Sequence, residues 1–150
     1  MLEPFEDVEW APSYGQNVAM VPRESLLSFA EAARDAGFEV CVDVTAVDYH
    51  RIRPTRFEVV AGLLSQRHNL RLRLRVAVPA DDPAVPSLTP LWPGANFFER
   101  EVFDMFGITF TDHPDMTRIL MPDEWIGHPL RKDFQVGMVP VQFKGAPKAM

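Results

Sequence analysis

The sequence predicts an α+β fold. We expect a two-layer domain with a mixed, mainly antiparallel sheet, helices on one face of it, and an extended, irregular C-terminal segment. Three strand-like segments follow one another in the middle of the chain, at 38–47, 56–65 and 70–78, which favours hairpins. Helical periodicity occurs only on either side of them. The 150 residues suit a single domain with one core, expected at 1–134, followed by a tail at 135–150.

The first third of the chain is predicted as strand, helix, strand. The segment "NVAMV" at 17–21 is a short strand, and Pro22 suits the first turn of a helix at 22–35, which Gly37 ends. One broad face of this helix is apolar and comprises Leu26, Leu27, Phe29, Ala30 and Ala33. The segment 38–47 then alternates apolar and polar residues and is rich in Val, which is typical of a strand.

Two further strands follow a turn at 51–55. In 56–65, Gly62 indicates a bulge. In "LRLRLRVAV" at 70–78 the apolar residues point one way and Arg71, Arg73 and Arg75 the other. Plain solvation of these arginines is favoured over a salt-bridged contact with another subunit.

A loop with five prolines, 79–94, leads to a helix that begins near Asn96 and ends at Gly107. The spacing of Asn96 and Glu99 predicts a capping box, and Arg100 and Asp104 are spaced to pair. We expect Glu99, Arg100 and Asp104 to face outward and Glu101 to lie at the boundary. The core face comprises Phe98, Val102, Met105 and Phe106. After Thr109 the pattern is irregular, and the tail 135–150 is either disordered or laid across another subunit.

Composition excludes several classes of function. The net charge of −6 argues against general nucleic-acid binding. The single cysteine, Cys41, permits no internal disulfide and cannot hold an iron–sulfur cluster. The chain contains no dinucleotide fingerprint, P-loop, G-x-S-x-G or H-E-x-x-H motif. The acidic opening "MLEPFEDVEW" is not a signal peptide, and no apolar run is long enough to span a membrane. We expect a cytosolic or peripheral protein that reaches a membrane only through a partner.

Two groups of side chains are candidates for chemistry. His113 and His128 could share a metal with Asp112 or Asp115, but both histidines precede proline and no zinc spacing is present, so structural or interface roles are favoured.

The other candidate group, Glu99, Glu101 and Asp104, could provide paired carboxylates for acid–base work. A solvated helix face, or one neutralised by a partner's basic groups, is favoured instead. The residues alone thus indicate no catalytic constellation, and a C-terminal third that requires a partner.

The stretch "EREVFDMFGITFTDHPDMTRILMP" at 99–122 resembles the signature of the thirty-kilodalton-type subunit family of respiratory complex I. The segments "DVTAVDY" (43–49), "RFEVVAGLLS" (56–65), "DDPAVPSLTPLWPGANFFERE" (81–101) and "GHPLRKDF" (127–134) are similar to the same family, so the resemblance covers most of 17–134. One departure is Thr117, where many members have a second basic residue.

The resemblance implies a non-redox structural and assembly subunit without flavin or iron–sulfur cluster. Its place is the hydrophilic arm of a proton-translocating NADH–quinone oxidoreductase, on the cytoplasmic side in bacteria. The implied partners are the forty-nine-kilodalton-type D subunit and the iron–sulfur B and I subunits, and FMN and the iron–sulfur clusters belong to partner subunits. Related ferredoxin- or F420H2-dependent complexes and membrane-bound hydrogenases remain alternatives, and a free-standing enzyme using Glu99, Asp104 and His113 is a more remote one. The implied interface residues are Glu99, Arg100, Glu101, Asp104, His113, Arg118, His128, Arg131 and Lys132.

Overall fold

A computed structural model describes residues 5–135 and 137. Its main sheet has five strands in the order β1-β2-β5-β4-β3. The strands are β1 (Glu9–Trp10), β2 (Asn17–Met20), β3 (Val40–Asp48), β4 (Phe57–Ser65) and β5 (Leu70–Val78). Strands β3, β4 and β5 form an antiparallel meander, whereas β2 pairs with β5 in parallel. The predicted mixed, mainly antiparallel sheet is confirmed.

Two helices and a second small sheet complete the described part of the fold. A 3₁₀ turn at Arg23–Ser25 precedes α1 (Leu26–Asp35), and α2 spans Ala95–Phe106. Strands β6 (Ala84–Pro86) and β7 (Thr109–Thr111) flank α2 in sequence and pair in parallel. The sequence did not predict β1, β6 or β7, because segments of two or three residues carry no measurable periodicity.

One hydrophobic core fills the space between the sheet and the helices. Strand β4 contributes Phe57, Val59, Ala61 and Leu63, each at most 3% exposed. Helix α1 adds Leu26, Phe29, Ala30 and Ala33, and α2 adds Ala95, Val102, Met105 and Phe106. Most of each predicted apolar face is therefore confirmed, although Leu27 is exposed and Phe98 is only partly buried against the core.

Two local predictions need correction. The register shift lies in β3, between Cys41 and Asp43, and Gly62 faces it from β4, so the bulge is in the strand opposite the glycine. Helix α2 begins after Gly94 without a side-chain cap, so the Asn96–Glu99 capping box is wrong. Its other end is as predicted, since Gly107 adopts a left-handed conformation with φ 71°.

Of the predicted tail, 135–150, only residues 135 and 137 are among those described. No helix in the described ranges is long and apolar enough to cross a membrane.

Candidate interaction site around helix α2

Asp104 lies at the centre of the site, and it is buried rather than outward-facing as the sequence predicted. Its side chain is 0% exposed. One carboxylate oxygen accepts a hydrogen bond from Arg118 Nη1 at 2.5 Å, and the other accepts three backbone N–H bonds, from Ile119 at 3.1 Å and from Leu120 and Met121 at 2.8 Å. The predicted Arg100–Asp104 pair is wrong, because the loop that follows β7 supplies the partner instead.

These contacts keep Asp104 ionised. Burial acts to raise the pKa of the carboxyl, but the N–H donors of Met121, Leu120 and Ile119 together with Arg118 overcome it, and the net pKa lies below its usual range. A carboxylate with this many donors is a strong fixed acceptor. It therefore determines the path of the chain from 118 to 121.

Arg118 extends the same network further along the chain. Its second terminal nitrogen donates to the carbonyl oxygens of Trp125 at 3.0 Å and Gly127 at 3.1 Å. One arginine thus joins α2 to two separate parts of what we term the C-terminal segment, residues 112–134. The planar fork of a guanidinium suits this role, since its donors point in fixed directions.

The C-terminal segment also closes the end of α2. The Leu130 N–H donates to the Met105 carbonyl at 3.0 Å, and Arg131 Nε donates to the Phe106 carbonyl at 2.5 Å. The ring Nδ1 of His128 lies 3.0 Å from the Asp104 carbonyl oxygen, which can only accept, so Nδ1 carries the proton. Burial is the main cause that lowers the pKa of His128, with Arg131 and Arg118 nearby. These donors satisfy carbonyls that a helix end otherwise leaves unpaired.

Glu99 forms a second buried polar centre, on the other side of α2, and it too was predicted to face outward. Its carboxyl oxygens accept hydrogen bonds from Ser87 Oγ and from the Leu88 N–H, both at 2.7 Å. His113 Nε2 lies 3.9 Å away, and both side chains are 0% exposed. Burial raises the pKa of Glu99 to about 7, against the effect of the two hydrogen bonds. Glu99 therefore joins α2 to the loop after β6.

The remaining predicted site residues lie nearer the surface. Arg100 donates to the Thr117 carbonyl at 3.1 Å, to Thr117 Oγ1 at 3.0 Å and to the Arg118 carbonyl at 3.2 Å. Thr117, the position that departs from the family pattern, thus serves here as an acceptor. Glu101 is exposed, as is Lys132, whose backbone N–H donates to Asp48.

The ion-pair network around Arg56 was not predicted from the sequence. Arg56, immediately before β4, binds Asp48 at 2.8 Å and Asp133 at 2.6 Å. Asp48 also accepts from the backbone N–H of Lys132 at 2.9 Å, so the network fastens "RKD" at 131–133 to the β3–β4 hairpin. Burial opposes ionisation of Asp48, but Arg56 and two backbone donors hold its pKa below the usual range. The sequence did contain one indication of this network, because Asp48 continues the inward-facing positions of β3, where a carboxylate needs a partner.

These polar contacts leave apolar side chains on the surface. Within the C-terminal segment, Ile126 is 91% exposed, Leu120 55%, Leu130 52% and Ile119 39%. All four lie in or next to the stretches that Asp104, Arg118 and Met105 bind through the backbone. Several exposed apolar residues within one short segment are consistent with a protein–protein contact.

The geometry provides no open catalytic or metal site among the described residues. The side chains of Glu99, Asp104 and His113 are fully buried, and the two carboxylates have separate partners. In the part of the chain that the structure describes, no three His, Cys, Asp or Glu side chains are grouped to hold a metal ion.

Comparison with known proteins identifies the family. The family pattern described as "Respiratory-chain NADH dehydrogenase, 30 Kd subunit" matches residues 19–147. The chain belongs to this family. The polar contacts around Glu99 and Asp104 fall within the matched range, so they are part of the family domain.

Curated relatives are named as the C subunit of NADH-quinone oxidoreductase. The chain is 47% identical over 135 residues to that of Saccharopolyspora erythraea, covering 88% of this chain and 54% of the relative. It is 50% identical over 126 residues to that of a Nocardioides species, covering 82% of this chain and 50% of the relative. The chain thus spans about half the length of these relatives.

Two solved structures share the fold of this family member. A trypsin-resistant fragment (1–134) of Nqo5 superposes with a TM-score of 0.68 at 37% identity, covering 72% of this chain and 89% of that one. A chain of the membrane-bound sulfane sulfur reductase, an archaeal respiratory membrane complex, gives a TM-score of 0.79 at 25% identity, covering 90% of this chain and 81% of that one.

Proposed function

We propose that the chain is a non-redox structural subunit of the hydrophilic arm of a proton-translocating NADH–quinone oxidoreductase. The observation that carries the proposal is the family match over residues 19–147. The names of the relatives, 44–50% identical to this chain, point to the same complex. The chain itself would be non-catalytic, with FMN and iron–sulfur clusters held by other subunits.

The exposed apolar residues of the C-terminal segment support a docking role. Beneath this segment, Asp104 and Arg118 are bound to each other and to backbone groups of the segment. The side chains of Leu120, Ile126 and Leu130 are therefore free to contact a partner. In the proposal that partner is the forty-nine-kilodalton-type D subunit, near the iron–sulfur B and I subunits, on the cytoplasmic side of the membrane.

The nine predicted interface residues divide into two groups under this proposal. The first group acts on the interface indirectly, because its side chains hold helix α2 and the C-terminal segment in position through internal hydrogen bonds. It comprises Glu99, Asp104, His113, Arg118, His128 and Arg131. The second group is at least partly exposed to solvent and can contact a partner directly. It comprises Arg100, Glu101 and Lys132. Removing a buried member would disturb docking by moving the exposed apolar residues.

A second candidate is the equivalent subunit of a related membrane complex, such as a ferredoxin- or F420H2-dependent reductase or a membrane-bound hydrogenase. The likeness to a chain of the sulfane sulfur reductase, with a TM-score of 0.79, favours it specifically. The two candidates share the fold and the docking role. They differ in the electron donor and in the subunits that accept its electrons.

Affinity purification of the chain from native membranes tests the proposal. We expect subunits with NADH- and FMN-binding sites to co-purify, together with NADH-dependent quinone reduction. Ile126→Asp should lower their yield while leaving the melting temperature of the chain unchanged, because the side chain is 91% exposed. Ile52→Asp is the matched control, since Ile52 is 76% exposed at the β3–β4 turn. Co-purification of hydrogenase or sulfur-reductase subunits would instead select the second candidate.

A further inference from the structure

One face of the main sheet points away from the core, and we term it the outer face. Strand β4 contributes Val60, Gly62 and Leu64 to it, all only half-buried, while the alternate residues of the strand lie in the core. In the antiparallel register Val60 lies beside Arg75, Gly62 beside Arg73 and Leu64 beside Arg71. The buried residues of both helices belong to the core on the opposite face.

The outer face carries positive charge that the described residues do not neutralise. Arg75 binds Glu58 with two hydrogen bonds of 2.8 Å, and Arg53 approaches the same carboxylate at 3.4 Å. Arg71 and Arg73 form no ion pair with any of the residues that the structure describes. Because the whole chain has a net charge of −6, these two arginines form a local basic site on an acidic protein.

Gly62 provides an independent second observation. It lies in the interior of a nine-residue strand, where a glycine weakens the strand. Steric fit does not require it, because among the described residues a Cβ at this position would meet only the Asp43 carbonyl oxygen, at 4.0 Å. A glycine inside a strand marks a bulge, a sharp bend or a site where another backbone approaches closely. The bulge here lies in β3 opposite Gly62 and leaves room for a Cβ, so we favour the close approach of another backbone.

From these observations we infer that the outer face around Gly62 is a docking surface for an acidic segment of a different polypeptide chain. The segment would pass over Gly62, place carboxylates against Arg71 and Arg73, and rest apolar side chains on Val60 and Leu64. This inference rests on the proposed function in one respect only, namely that the other chain is a subunit of the same assembly.

The surroundings favour a polypeptide over a phosphate-bearing polymer or a lipid surface. Asp43 flanks Gly62 on the β3 side, opposite Arg73, and Glu58 lies further along the same face. The Asp43 carboxylate would repel a continuous row of phosphates, and Glu58 already occupies Arg75, so the face lacks the broad basic surface that such a polymer needs. Two isolated guanidinium groups beside an apolar strip instead match discrete acidic side chains.

Site-specific photocrosslinking in cells tests the inference directly. Thr45 is exposed on the outer face of β3, beside Val60, so it is replaced by p-benzoylphenylalanine in the full chain. After irradiation, peptide mapping should give an adduct with an Asp- or Glu-rich segment of another polypeptide. An adduct with a second copy of this chain, with lipid or with nucleic acid overturns the inference, and so does the absence of any intermolecular adduct.

Substitutions provide a quantitative readout in the same cells. The double variant Arg71→Glu/Arg73→Glu should lower the yield of the crosslinked partner about tenfold or more, since like charges would face each other. Gly62→Val should lower that yield while leaving the chain's melting temperature unchanged or higher, because valine suits a strand and its Cβ would meet no described atom closer than 4.0 Å. Arg34→Glu, on the exposed side of helix α1, is the matched control and should retain the wild-type yield.

Equal yields from the outer-face variants and the control would overturn the inference. A different result would contradict the proposed function. In that case the outer-face variants still lose their partner, but no NADH- or quinone-binding subunits co-purify with the wild-type chain.

Discussion

Arg118 and Asp104 form a buried ion pair 2.5 Å long that joins helix α2 to a loop fourteen residues later in the chain. The arginine side chain is 15% exposed and the aspartate 0%. Both groups also bind backbone atoms of the C-terminal segment, so the pair organises residues 118–127 rather than merely joining two side chains.

Asp104→Ala should unfold more easily than the wild-type chain. The change leaves Arg118 and three backbone N–H groups without their acceptor, and breaking such a buried pair costs about 3–5 kcal/mol. Urea denaturation of the chain measures the loss. Glu101→Ala is the control on the same helix, because Glu101 is exposed, and we expect a change of under about 0.5 kcal/mol. Equal stability of the two variants would contradict the central role of Asp104.

Gly107→Ala should also destabilise the chain, by about 1–3 kcal/mol. Gly107 has φ +71°, and an added Cβ would lie 2.5 Å from the His128 ring and 2.6 Å from Arg131 Nη2. Both side chains are held by carbonyls at the end of α2 and cannot move away without losing those bonds. Gly94→Ala is the control, since no atom of the described residues lies within 4 Å of a Cβ there. Thermal melting of both variants distinguishes a local requirement for glycine from a general effect of alanine.

Glu99 should make the stability of the chain depend on pH near neutrality. Its pKa in the folded chain, about 7, lies above the ordinary value of 4.5, so the folded state binds this proton more tightly. The resulting stabilisation is complete below pH 4.5 and is lost as pH rises to about 7. Its full size is of the order of 3 kcal/mol.

Comparison with Glu99→Gln isolates this effect, because glutamine can still accept the Leu88 N–H bond but does not titrate. The groups that face Glu99 are His113, 3.9 Å away, and Cys41 on β3, whose thiol has a pKa raised to about 11 and stays neutral. Urea midpoints measured from pH 4.5 to above pH 7 should fall more steeply for wild type than for the variant. Parallel slopes, tested also in a His113→Gln background, would contradict the assignment to Glu99.

Arg56→Lys should weaken the attachment of residues 131–133 to the β3–β4 hairpin. Arginine binds Asp48 through two of its nitrogens and Asp133 as well, and a lysine cannot reproduce that geometry. We expect a loss of about 1–2 kcal/mol and faster amide hydrogen exchange at Lys132. The control, Arg67→Lys, alters an exposed arginine in the β4–β5 turn and should leave both measurements unchanged.

The sequence predicted the sheet meander and both helices because these depend on local periodicity. It placed Glu99 and Asp104 on the surface because carboxylates are seldom buried without partners. Their partners, Ser87 and Arg118, lie twelve and fourteen residues away in segments without regular structure. No periodic pattern indicates that such a loop returns to a particular turn of a helix.

The sequence nevertheless contained an indication that Glu99 is buried. Ala95, Glu99, Val102 and Phe106 are spaced four, three and four residues apart, which places the glutamate within the core stripe of α2. Asp104 offered no such signal. It lies on the side of the helix away from that stripe, and it is buried only because the C-terminal segment lies over it.

The parallel pairing of β2 with β5 has a consequence for the order in which the chain folds. Asn17 lies opposite Leu72, so fifty-five residues separate partners that must meet in register. As the chain leaves the ribosome, β3, β4 and β5 can form hairpins with their immediate neighbours, whereas β2 has no long strand to join until β5 has emerged. Strand β2, although it is made before the meander, is therefore among the last strands to enter the sheet. Until then its apolar residues, Val18 and Ala19, which are 1% and 0% exposed in the finished fold, remain accessible to chaperones.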